Sequence, residues 1–199
     1  MARRLPARFY ARDTLLVARE LLGKVVRHGD VALAITEVEA YLPGDTAAHS
    51  RHGRTARNAP LWGPPGRAYV YLCYGLHQML NLVTAPDGVP AAVLIRACRP
   101  VAGEERVRAR RGASAGGPAL LTGPGKVGQA LALDGSFNHQ ALHRAGGLEV
   151  VDGPPPRRVL TGARVGIAYA HPADVEAPWR FAEADSPWVS HRAGLAPLG

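Results

Sequence analysis

The amino-acid sequence predicts an α+β fold: a single compact domain with a curved, mostly antiparallel sheet, a protruding β-hairpin and flanking helices. Three observations predict it. Strand-like runs outnumber helical ones, hairpin punctuation recurs between them, and 199 residues suit one domain, 1–199, with a sizeable core. Apolar residues at 47% against 20% charged exclude a disordered chain.

The elements follow in chain order. "MARRLPARFYARDTLL" is a short basic arm with no apolar secretion segment behind it. Asp13 or Thr14 caps a helix over "LLVARELL", which Gly23 ends. "KVVRHGDVALAITEVEAY" reads as two strands joined at His28-Gly29-Asp30. "LPGDTAAHSRHGRTARNAPLWGPPG" is a polar loop with a short helix near its end. "RAYVYLCYGLHQMLNLVT" is a hairpin turning at Tyr74-Gly75, and "GVPAAVLIRACRPV" is a further strand. A basic helix, "GEERVRARRG", precedes a Gly/Ala/Ser linker expected to be mobile over 112–117. "GPGKVGQALAL" opens a helix at a glycine-rich turn. "LEVVDG" and "RRVLTGARVGIAYA" read as closing strands before a Pro/Trp-rich tail.

Charge narrows the function. The net charge is +8, and Lys24 and Lys126 are the only lysines among 24 basic residues. Codon bias explains arginine over lysine but not the positive total, which favours a polyanionic partner, nucleic acid first. No apolar run of about 18 residues predicts a membrane span. A protein of the cell interior is expected, cytoplasmic and nucleoid-associated in a bacterium. Cys73 and Cys98 are too few for a disulfide framework, lack CxxC spacing, and read as buried inert thiols.

Along Val31 to Tyr41 the odd positions are Val31, Leu33, Ile35, Glu37, Glu39 and Tyr41. Alternation would put them on one face, apolar at its start and acidic-aromatic at its end. Two carboxylates there are either solvated as the strand emerges into water, or buried with partners and a task. Tyr69 and Tyr71 share a face of the next hairpin, suited to core packing or to stacking a base. Tyr74 at the turn is suited to wedging into a base stack.

"TEVEAYLPGDTAAHS", "RNAPLWGPPGRAYVYLCYGLHQMLN", "AAVLIRACRP", "LTGPGKVGQAL", "ARVGIAYA" and "SPWVS" follow one another in order. Together they resemble the alkyladenine (3-methyladenine) DNA glycosylase family over roughly Pro6 to His191, with a loop between Tyr41 and His49 one residue shorter. The resemblance implies a monofunctional glycosylase that flips alkylated, deaminated or etheno purines out of duplex DNA and hydrolyses the N-glycosidic bond, initiating base excision repair. It implies that Glu39 activates water, which Arg96 and the main-chain carbonyl of Val165 help to hold. Tyr41, His49 and Tyr71 match the walls of the base pocket, Asn81 the residue that disfavours the 2-amino group of guanine, and Tyr74 the intercalating side chain. Glu37 matches no such role and is left as structural or solvated.

The chemistry agrees with this layout. Cleavage builds oxocarbenium character at the sugar, which a carboxylate stabilises while taking the water's proton. An alkylated purine already carries positive charge and is attracted by aromatic faces. No metal or other cofactor is expected. His49 and His52 near Asp45, and His139 with His143 at helical spacing, imitate metal-ligand pairs without an HExxH motif. "GPGKVG" lacks a phosphate loop's first glycine, since Leu120 stands there, and has Val127 for the required Ser or Thr. Lys126 is instead a candidate DNA phosphate contact. The expected partner is double-stranded DNA containing damaged purines, engaged by a monomer without a membrane. The rival reading is a non-catalytic damaged-nucleic-acid-binding protein, separated only by Glu39 with Arg96. Neither lysine suits a Schiff-base nucleophile, so no strand-cleaving lyase activity is expected.

Overall fold

The computed structural model of the chain describes residues 2–112 and 116–199. Half of the expected 112–117 linker, residues 113–115, lies outside them, as does the N-terminal Met1.

The helices are α1 (Ala7–Tyr10), α2 (Thr14–Leu21), α3 (Glu104–Arg111), α4 (Pro124–Ala130) and α5 (Pro172–Glu176). Asp13 caps α2, accepting from the Leu16 N–H at 2.8 Å, and Gly23 follows it with φ 80°. The strands are β1 (Val25–His28), β2 (Val31–Tyr41), β3 (Ala68–Cys73), β4 (His77–Val83), β5 (Ala92–Ala102), β6 (Glu149–Val151), β7 (Val159–Gly162), β8 (Arg180–Glu183) and β9 (Leu195–Pro197). One nine-stranded antiparallel sheet runs β3-β4-β5-β2-β8-β7-β9, and β1, also on β2, carries β6. The fold is α+β, as the balance of elements predicts.

The sheet forks along β2. One edge of β2 pairs with β5 throughout, whereas the other pairs with β1 over Val31–Ala34 and with β8 over Glu37–Glu39. At the fork Thr36 is bulged out of the β5 register, and its hydroxyl donates to the Trp188 carbonyl. A compensating irregularity sits on β5 at Arg96, between the partners of Glu37 and Val38.

These paired bulges correct the simple alternation expected for β2. Val31, Leu33 and Ile35 belong to the main core, but beyond the bulge Val38 and Ala40 do. A bulge shifts the period-2 count by one, so the odd residues Glu37, Glu39 and Tyr41 leave the core face. On β5 the same exchange separates Val93 and Ile95 from Cys98. The core packs α2, α3 and α4 against one side of the sheet, through Val17, Leu21, Val107, Val127 and Ala130. The opposite side carries a smaller cluster of Leu61, Tyr69, Val83 and Ala92.

Other expectations need adjustment. The short basic arm is docked: Leu5 donates its N–H to Val150 and Arg3 accepts from Asp152. The run "RRVLTGARVGIAYA" is strand only over Val159–Gly162 and then turns away as irregular chain. His139 and His143 are not on a helix, and His139 has φ 65°. Cys98 is buried and burial pushes its thiol pKa far up, but Cys73, near the hairpin tip, is only half-buried. The glycines of "GPGKVG" serve packing: a Cβ on Gly128 would lie 2.0 Å from the Gln78 carbonyl oxygen, and one on Gly125 2.8 Å from His77. They let α4 lie directly on β4. Among the described residues no helix is long and apolar enough to cross a membrane.

Candidate active site

The face of the sheet opposite the helices carries a pocket. Tyr69 and Tyr71 alternate on β3 with the core residues Ala68 and Val70, while Asn81 alternates on β4 with Leu80 and Leu82. Tyr41, Tyr69, Tyr71, His49 and Asn81 line the pocket together, with Ala47, Ala92 and Tyr169 among its other walls. The His49 and Tyr71 rings meet edge-on at 4.4 Å between centroids, and Tyr69 and Tyr71 lie 5.6 Å apart. Asn81 is buried and its side-chain amide donates to the Tyr69 carbonyl at 3.3 Å.

His49 reaches the pocket from the loop after β2, with one side open to solvent. Its Nδ1 lies 2.8 Å from the Tyr69 hydroxyl. Partial burial, then the Arg57 and Arg51 charges, lower its pKa below 6.5, so the imidazole is neutral near pH 7. Burial also pushes the pKa of Tyr69 up to about 12 and that of Tyr71 higher still. The pocket wall is therefore aromatic and uncharged at neutral pH.

Glu39 and Arg96 lie behind Tyr41. Glu39 has no exposed surface and Arg96 is 5% exposed. Glu39 Oε1 receives the Val165 N–H at 2.7 Å and lies 3.1 Å from Arg96 Nη1, whereas Oε2, among the described residues, receives only the Tyr41 hydroxyl, at 3.0 Å. Val165 thus meets Glu39 through its amide, which leaves its carbonyl available for the water-holding role expected of it. Burial, and next the Glu39 charge, raise the Tyr41 pKa and keep that hydroxyl protonated. Burial works against the Arg96 charge, but Glu39 and Glu37 outweigh it and hold the guanidinium charged. One face of the Tyr41 ring is taken: the Arg164 guanidinium carbon sits 4.7 Å from its centroid.

Glu37 is not solvated. It is fully buried, pairs with Arg96 and Arg180, and accepts the Ser190 N–H at 2.6 Å. Asp45, which beside His49 and His52 imitated a metal ligand, is instead paired with Arg164 and fully buried on both sides.

Tyr74 stands apart from the pocket, 93% exposed in the turn between β3 and β4. Both Tyr74 (φ 51°) and Gly75 (φ 70°) adopt left-handed conformations, which a non-glycine residue rarely does and which tightens the hairpin. Leu76 beside it is 77% exposed. Lys126 is half-buried in the first turn of α4, next to the Gly125 that packs on His77 near the hairpin tip.

Several site residues had no individual signal in the sequence. Arg164, Arg180, Asp45 and Ser190 are ordinary polar residues until folding buries them together. Tyr169, whose hydroxyl donates to the Ala47 carbonyl at the pocket rim, lay inside a presumed strand. Tyr69 was legible only as sharing a face with Tyr71.

The site thus sets a buried carboxylate–arginine pair behind an aromatic pocket in a strongly basic protein. Comparison with known proteins identifies the family. The family model described as methylpurine-DNA glycosylase matches residues 8–187, and the chain belongs to that family. A putative 3-methyladenine DNA glycosylase of Nitrosococcus oceani is 61% identical over 194 residues, covering 97% of this chain and 96% of the relative. The DNA-3-methyladenine glycosylase of Arabidopsis thaliana is 55% identical over 187 residues, covering 94% of this chain and 74% of the relative. A putative 3-methyladenine DNA glycosylase of Methanocella arvoryzae is 46% identical over 194 residues, covering 95% and 96%. The chain is thus a DNA glycosylase, a hydrolase of N-glycosidic bonds in DNA repair.

Proposed function

We propose that this protein flips damaged purines out of duplex DNA into the aromatic pocket and releases them with a water activated by Glu39. The substrate class is alkylated purine, 3-methyladenine foremost, with deaminated and etheno purines as further candidates. The observation that carries the reading is the placement of Glu39, fully buried and joined through its Oε2 to the hydroxyl of a pocket-lining tyrosine. Two protein donors already occupy Oε1, so Oε2 has the remaining capacity to accept a proton from water. Arg96 and Val165 hold the carboxylate in place, and its charge stabilises the oxocarbenium sugar as the bond breaks.

The pocket suits a cationic leaving base. Arg164 covers one face of Tyr41, leaving the other for stacking, and the neutral His49 adds no repulsion. Asn81 limits the space available to the 2-amino group of guanine. Tyr74, exposed at the hairpin tip, fills the vacated position in the base stack, and Lys126 contacts a phosphate. The enzyme acts as a single-domain monomer on DNA inside the cell.

Water, not an amine, is the nucleophile. Lys24 is bound to Asp152 at 2.7 Å and to the Gly153 carbonyl at 2.9 Å, and Lys126 lies on α4, outside the pocket lining. Borohydride should therefore trap no covalent adduct with damaged duplex. The deciding experiment measures base release from a duplex carrying a methylated purine. Glu39→Gln should abolish release while leaving damaged-DNA affinity within about tenfold, or about 1.4 kcal/mol. Release at the wild-type rate by that variant would remove Glu39 from the chemistry.

A further inference from the structure

We propose that Glu37 is a positioning residue that sets the Arg96 guanidinium against Glu39, an inference that rests on Glu39 being the water-activating carboxylate. Glu37 does not line the pocket, yet it is a fully buried carboxylate. Burying a charge is costly, and a buried ion pair stabilises a fold no better than apolar residues of the same volume. Stability alone is a poor reason for it.

The geometry supplies a better one. The bulge on β5 places Arg96 between the partners of Glu37 and Val38, beside Glu37 and Glu39, which stand two residues apart on β2. Each guanidinium nitrogen then has its own partner: Nε faces Glu37 Oε1 at 3.3 Å, Nη1 faces Glu39 Oε1 at 3.1 Å, and Nη2 donates to the Ser190 hydroxyl at 3.3 Å. A planar fork held at three corners has one orientation. Glu37 is fixed in turn by the Ser190 N–H at 2.6 Å and by Arg180 Nη1 at 3.2 Å. Arg180 is itself tied to the carbonyls of Ala163 and His191, at 2.7 Å and 2.6 Å, so it cannot swing to replace Arg96.

Charge follows the same logic. Glu37, Glu39, Arg96 and Arg180 form two anions against two cations in a desolvated space. Neutralising Glu37 leaves one surplus positive charge beside Glu39 and frees Arg96 to close fully onto it. A carboxylate gripped in that way is a weaker proton acceptor. Glu37 and the Ser190 hydroxyl thus share Arg96 away from Glu39.

The test is a double-mutant cycle on single-turnover base release at saturating enzyme, with DNA affinity measured separately. Glu37→Gln should lower the rate about tenfold or more with affinity within about twofold, and should cost nothing further in an Arg96→Gln background. A purely structural role would slow both backgrounds by the same factor. Equal factors in the two backgrounds, or an unchanged rate in Glu37→Gln, overturn the positioning role. Glu39→Gln, run in parallel, separates the two ideas: an active Glu39→Gln would sink the reading of Glu39, not this one alone. Should Glu37→Gln give no cooperative melt, Ser190→Ala reads the same relation. It removes the Nη2 acceptor but keeps the backbone N–H that holds Glu37. A severalfold rate loss that disappears with Arg96→Gln supports the proposal, and no loss or a fully additive one overturns it.

Discussion

Arg164→Met is expected to destabilise the protein far more than an ordinary arginine substitution, and the structure gives the size. Both side chains of the Asp45–Arg164 pair are fully buried. The guanidinium contacts Asp45 through both terminal nitrogens, with Nη2–Oδ1 at 3.0 Å, and also donates to the carbonyls of Ala40 at 3.0 Å and Asp174 at 3.1 Å. Methionine fills part of the volume but leaves the Asp45 carboxylate, among the described residues, with only the Ala47 N–H, at 2.8 Å. Leaving one member of a buried pair alone costs about 3–5 kcal/mol. For a chain of this length each kcal/mol lowers the melting midpoint by about 2–4 °C, so a drop of about 6–20 °C is expected. Adding Asp45→Asn removes the orphaned charge and should recover most of the loss. Chemical denaturation of the two single variants and the double variant measures it. A loss below about 1 kcal/mol for Arg164→Met, or a double variant no more stable than that single one, would refute the reasoning.

The other predictions concern DNA and pH. Tyr74→Ala should weaken damaged-site binding by about tenfold or more and slow base release, because the wedge is lost. Its salt-sensitive non-specific affinity should persist, since arginine–phosphate contacts supply it; a base-analogue fluorescence signal equal to wild type would remove the wedge role. Asn81→Ser should raise release of undamaged guanine relative to adenine by about tenfold, and an unchanged ratio would place selectivity elsewhere. The folded state resists protonating His49, so its effect on stability is absent above pH 6.5 and grows as the pH falls below that value. Wild type should therefore lose melting temperature against His49→Gln between about pH 6.5 and 5; parallel curves for the two proteins would contradict this.

Much of the fold was legible because local signals agreed with one another. The Asp13 cap, the Gly29-Asp30 turn and the Tyr74-Gly75 turn each mark a boundary that the structure keeps. The hairpin was readable for a further reason: its alternation is unbroken, so Tyr69, Tyr71 and Asn81 fall on the face that simple counting assigns. The run after Gly162 was not readable. Its apolar residues mimic a strand, but Arg164 is drawn inward by Asp45, a partner 119 residues away. Glu37 was left open between a structural and a solvated role for the same reason. Whether a carboxylate is solvated or buried depends on Arg180 and Ser190, which arrive from the far end of the chain.

The paired bulges at Thr36 and Arg96 explain how one strand builds both the core and the site. With strict alternation, Glu37, Glu39 and Tyr41 would continue the face that holds Leu33 and Ile35 and would thrust two carboxylates among α2 and the core. A single bulge would avert that, but it would leave β2 one residue out of step with β5 from there onward. Two bulges, one on each strand, restore the pairing while exchanging inside for outside on both. The exchange on β5 is what turns Arg96 to the same side as Glu39, whereas Ile95 and Cys98 stay in the core. Because β1 leaves the edge of β2 at this level and β8 takes over, Arg180 from β8 can reach Glu37. The carboxylates, their arginines and the pocket thus share a cause: a change of parity at one level of the sheet, made where the sheet divides.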